Sequence, residues 1–132
     1  MKKIVLIVLA FLLFRQLPAP NARTLFIAKT SEINAYDPLI KAIVCVETDH
    51  GKDFYNEKEN AVGHFQIRQI RVDDYNWRTK SHYKLNDFYD YTLARKMFLY
   101  YARNKTYERA AKNWNGSGPQ TSAYWQKVKK HI

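Results

Sequence analysis

One glutamate in this sequence sits where acid chemistry would need it. Asp37-Pro38 reads as a helix start, because Asp can cap an N-terminus and Pro is tolerated at the first helical position. The predicted helix runs to about His50, with Gly51 as its stop. At about 100° per residue, Ile40, Ile43, Val44 and Glu47 share one face, with Glu47 near the centre of the apolar stripe. A carboxyl placed there loses hydration, which raises its pKa and keeps a proton available near neutral pH. A structural glutamate bonded to backbone or to an arginine would leave the same pattern.

Two further segments offer groups that suit a sugar. Ala61-Val62-Gly63-His64-Phe65-Gln66-Ile67 has a glycine that permits close backbone approach, and an amide that both donates and accepts. A turn followed by a half-buried strand explains the same residues. Trp114-Asn115-Gly116 pairs an aromatic surface with an amide, and is equally an ordinary helix end.

Other chemistries find less support. Cys45, the single cysteine, falls inside an apolar helical pattern and is expected to be buried and inert. No CxxC or HExxH pattern occurs, so neither a metal nor another cofactor is expected. The formal charge of +10 suits an anionic partner, or simply a solvated basic surface. No Lys/Arg run is interleaved with aromatics at regular spacing, which argues against nucleic acid.

The elements that must position these residues are mostly helical. Residues 51–88 read as loops, with a small hairpin around Val62, Phe65 and Ile67 and one short helix near Val72–Trp77. Leu93, Ala94, Met97, Phe98 and Tyr101 share a helical face. Thr106 can cap the next helix, in which Tyr107, Ala110, Ala111 and Trp114 repeat the pattern. Asn115-Gly116-Ser117-Gly118-Pro119 breaks it, and a last helix runs from about Thr121 to Lys130. Met1–Ala22 has the basic start, apolar run and small residues of a secretory signal peptide, the alternative being an uncleaved anchor. The apolar run, Ile4 to Phe14, is well short of the roughly 20 residues that span a bilayer. Losing Lys2, Lys3 and Arg15 with it lowers the charge to +7 and leaves residues 23–132 as one domain, with a lead-in over 23–35.

Taken in order, these motifs resemble the lytic transglycosylases of the lysozyme-like superfamily, in particular small secreted or phage-type members. Ile43-Val44-Cys45-Val46-Glu47-Thr48 is similar to the family's I-x-x-E-S helix. Ala61, Gly63, Gln66 and Ile67 match A-x-G-x-x-Q-I, and Trp114-Asn115-Gly116 with Tyr124-Trp125-Gln126-Lys127-Val128 matches the ending WNG…YW-x-K-V. The resemblance covers about residues 37–130. It implies a mainly α (α+β lysozyme-like) domain with a loop-rich or small β insert after the catalytic helix. It also implies cleavage of the β-1,4 bond between N-acetylmuramic acid and N-acetylglucosamine, with Glu47 as the single catalytic acid. Thr48, Gly63, His64, Phe65, Gln66, Trp114, Asn115 and Gly116 would then contact substrate. The partner would be peptidoglycan glycan strands, met by a monomer in the periplasm or outside the cell, without stable membrane insertion once the leader is cleaved. The sequence departs from the family where Thr48 replaces Ser, His64 replaces Leu or Ile, Trp114 replaces Tyr, and Asp49-His50-Gly51 follows the catalytic motif. A lysozyme-type hydrolase and a non-catalytic wall-binding module are the competing expectations. Asp49, Asp53, Glu57, Glu59, Asp73 and Asp74 are the second-carboxylate candidates. Arg68, Arg71 and Arg78 could meet substrate carboxylates, and Tyr75, Trp77, Tyr83, Tyr89 and Tyr91 could line a groove.

Overall fold

The apolar stripe of the first helix organises everything around it. The computed structural model describes residues 34–132; the leader and most of the lead-in lie outside the described residues. Helix α1 (Asp37–Glu47) buries Leu39, Ile40, Ala42 and Ile43. Asp37 is its first residue rather than its cap, and its carboxylate accepts from Arg95 at 2.7 Å. The helix ends at Glu47, before the expected stop near His50. The buried Thr48 causes this: its hydroxyl donates to the Val44 carbonyl at 2.7 Å and accepts from the Gly51 amide at 2.8 Å. Asp49 and His50 then take left-handed conformations, with φ of 44° and 61°.

The insert holds a hairpin of strands β1 (Tyr55–Asn56) and β2 (Ala61–Val62), paired antiparallel with Tyr55 opposite Val62. Val62 also bridges back to Ile67. The helix expected near Val72–Trp77 extends over Gln69–Thr79 as α2. A 3-10 turn at Leu85–Tyr89, which no periodicity announces, buries Phe88. Helix α3 (Tyr91–Ala102) begins at Asp90, whose side chain accepts from Leu93 N. Its expected inner face holds, with Ala94, Met97 and Phe98 buried.

Helices α4 (Tyr107–Asn115) and α5 (Gln120–Lys129) complete the molecule. They pack on each other, and both contact α1. Ala110, Ala111 and Trp114 of α4 meet Tyr124 and Val128 of α5 in the same core. The mainly helical expectation with a small β insert is therefore met among the described residues. Thr106 caps α4 as its position suggests, accepting from Arg109 N at 3.3 Å. Thr106→Ala is expected to cost about 1 kcal/mol, read as a lower urea midpoint at unchanged slope.

Candidate active site

Glu47 lies on the wall of a cleft of about 610 Å³. The cleft draws on parts of the chain that are far apart in sequence. Helix α1 contributes Val46 and Glu47, the hairpin Asn56 and Glu59, and the following turn Gln66 and Arg68. Arg71 comes from α2, Trp114 to Ser117 from the end of α4, and Gln120, Tyr124 and Lys127 from α5.

The Tyr124 hydroxyl donates to Glu47 Oε1 at 2.6 Å. Burial pushes the Glu47 carboxyl from 4.5 up to about 7. Tyr124's hydrogen bond opposes that rise, nearby Glu59 adds to it, and Arg68 and Arg71 oppose it from a distance. Burial also drives the Tyr124 phenol upward, with the Glu47 charge adding to it, so the phenol stays protonated and remains a donor. The stripe argument for a desolvated acid thus has a structural counterpart.

The second wall is built around Trp114. Its indole nitrogen donates to the Phe65 carbonyl at 3.2 Å, which fixes the ring. Arg71 stands over that ring, 4.4 Å from its centre, and donates to the Trp114 carbonyl at 2.9 Å. Burial lowers the Arg71 pKa from its ordinary value, yet a guanidinium stays charged in a protein. Gln66, at φ 46°, donates from Nε2 to the Gly63 carbonyl at 3.1 Å. Asn115 lines the cleft, and its Oδ1 is buried with no hydrogen-bond partner among the described residues.

Of the expected site residues, Glu47, Gln66, Trp114, Asn115 and Gly116 meet in the cleft. Thr48, Gly63, His64 and Phe65 do not line it. Thr48 is the end-plug of α1 already described. Gly63 is glycine because of the fold: an added Cβ would lie 2.3 Å from the Phe88 carbonyl oxygen. His64 is held between the rings of Phe54 and Tyr91. Phe65 is fully buried and stacks on Phe98. Gly63 and Phe65 support the wall from behind, through carbonyls that accept from Gln66 and Trp114.

The aromatic groove expected from the loop tyrosines is absent from this cleft. Tyr75 is buried in the core against Tyr83 and Phe88, and Trp77, Tyr89 and Tyr91 are exposed elsewhere. Arg68 and Arg71 do reach the cleft, while Arg78 is tied to Asp74 at 2.7 Å. Among the second-carboxylate candidates, Glu59 alone lines the cleft. It is exposed and lies 3.8 Å from Arg68. Tyr124 had been singled out only as part of the YW-x-K-V ending; nothing in its local sequence reveals that it meets Glu47.

Comparison with known protein families, curated proteins and solved structures yields no match. The arrangement must therefore be read on its chemistry. A carboxyl with a pKa near neutrality, a fixed phenol donor and four side-chain amides (Asn56, Gln66, Asn115, Gln120) surround one space. That set can donate a proton to an ether or glycosidic oxygen and bind hydroxyl and acetamido groups around it.

Proposed function

We propose that this protein is a peptidoglycan lytic transglycosylase, acting on the β-1,4 bond between N-acetylmuramic acid and N-acetylglucosamine. The observation that carries this reading is Glu47, desolvated and held by Tyr124 in a cleft rich in amides. The order of the motifs along the chain and the helical frame with its small hairpin support the same reading, and with it a lysozyme-like arrangement.

Tyr124 occupies Oε1, which leaves Oε2 to carry the transferable proton. Glu47 gives that proton to the glycosidic oxygen as the bond from the muramic C1 to that oxygen breaks. The carbonyl oxygen of the muramic acetamido group supports the electron-poor C1. The Glu47 carboxylate then takes the proton of the C6 hydroxyl, whose oxygen bonds to C1. A 1,6-anhydro end forms, no water is consumed, and Glu47 regains its proton. Arg68, Arg71 and Lys127 give the cleft cations for lactyl or stem-peptide carboxylates. The leader expected from the sequence would put this activity in the periplasm or outside the cell.

Glu59 favours one second reading. As the other carboxylate in the cleft, it could activate a water, which would make the reaction a lysozyme-type hydrolysis. Mass spectrometry of sacculi digested with the purified protein separates the two. Transglycosylation yields muropeptides with anhydro ends, one water lighter than the hydrolytic products. Reducing ends would assign the reaction to Glu47 with Glu59. If no soluble muropeptide is released, the enzyme reading fails and a wall-binding module takes its place.

A further inference from the structure

Beside the cleft, across Val46 and Lys127, which line both spaces, the chain gathers three groups that the proposed reaction does not use. Cys45 precedes Glu47 by two residues, about 200° around the helix, so its thiol faces away from the cleft. It is partly exposed, which corrects the expectation of a buried, inert thiol. Its Sγ lies 2.9 Å from His50 Nδ1 and 3.6 Å from His131 Nδ1. A ligand atom from each of the three residues lies within 4.8 Å of the other two. They open onto a separate cavity of about 330 Å³, with Asp49, Lys127 and Lys130 on its rim.

We propose that Cys45, His50 and His131 bind one zinc ion, as three protein ligands with water in the fourth position. Zinc takes Cys sulfur at about 2.3 Å and His nitrogen at about 2.0–2.1 Å in tetrahedral geometry, which puts sulfur and nitrogen about 3.5 Å apart. The Cys45–His131 separation already has that value, and the Cys45–His50 pair needs to open by about half an ångström to reach it. The backbone supports the arrangement. Left-handed Asp49 and His50 fold the chain back, and the His50 amide donates to the Cys45 carbonyl at 2.9 Å. His131 is set by its own amide, which donates to the Val128 carbonyl at 3.0 Å. The two imidazole rings meet edge to face, with centroids 5.4 Å apart.

The donor set decides the metal class. One thiolate and two imidazoles suit a thiophilic transition metal such as zinc, and they do not suit magnesium or calcium, which require oxygen ligands. On binding, Cys45 gives its thiol proton to solvent, and the fourth coordination position stays open to water. The metal would tie the end of α1 to a residue two positions past α5, joining the two helices that carry Glu47 and Tyr124. Linear motif searching does not see this set, because His131 is 86 residues from Cys45.

The test uses the full chain, stripped with chelator and titrated with zinc alone. The expected stoichiometry is one ion per chain. The melting temperature is expected to rise by on the order of 10 °C when zinc exceeds its Kd a hundredfold. Cobalt(II) in place of zinc is expected to give a thiolate-to-metal charge-transfer band that disappears in Cys45→Ser. His131→Ala changes an exposed residue beside the last turn, so the fold is retained while zinc affinity falls at least tenfold. The proposal is overturned if the stripped protein takes up no zinc, or if Cys45→Ser and His131→Ala bind it as the parent does.

Discussion

Glu47→Gln is expected to reduce release of soluble muropeptides by about 10²–10⁴-fold, the usual contribution of a positioned general acid. The amide keeps the shape of the carboxyl and can still accept from Tyr124, so geometry survives while the transferable proton is lost. The same carboxyl predicts how the parent responds to pH. Glu47 must be protonated to act and titrates at about 7, so kcat/KM should fall tenfold per pH unit on the alkaline side of that value. Stability follows with a definite sign. Between about 4.5 and about 7 the folded chain holds the Glu47 proton and the unfolded chain has released it, so stability declines as pH rises through that window. The total is about 3 kcal/mol at 1.36 kcal/mol per pKa unit. Glu47→Gln should remove this decline and unfold later than the parent above pH 7. Urea titrations of both proteins across the window, paired with muropeptide release, read both effects. Parallel stability curves would refute the burial of the acid, and undiminished release would refute its role.

Gly63→Ala has the second large expected effect, this time on the fold. The substituted methyl would sit 2.3 Å from the Phe88 carbonyl oxygen, a backbone atom held in the 3-10 turn. The φ of 73° adds strain for any residue with a Cβ. Crowding and left-handed strain together should cost about 3–5 kcal/mol, a large share of the stability of a small domain. Chemical denaturation measures it directly. A loss below about 1 kcal/mol would mean that the 3-10 turn yields to the methyl, contrary to the contact described.

This substitution also marks where sequence reading reaches its limit. A glycine between a strand and Gln66 looks like an opening for substrate, and only the position of Phe88 shows that backbone fills the space. Thr48 misleads similarly: a hydroxyl beside the acid suggests substrate contact, but the Val44 carbonyl one helical turn back claims it. What could be read rested on periodicity and local caps. The stripe that includes Ile40, Ile43 and Glu47, the Thr106 cap and the inner face of α3 all depend on neighbours within a few residues. The 3-10 turn has too short a repeat to leave a pattern, and the loop tyrosines give no sign of whether they face core or solvent. Contacts between distant segments, such as Tyr124 with Glu47 and Trp114 with Phe65, leave no local trace.

The separation of Glu47 and Tyr124 by 77 residues has a consequence during synthesis. A chain emerging in order presents α1 first and α5 last. Until α5 docks, the cleft lacks Gln120, Tyr124 and Lys127, and no phenol holds Glu47. On the proposed reading, chains that stop short of Tyr124 are expected to release no muropeptides, so activity and the integrity of the last helix are tied together.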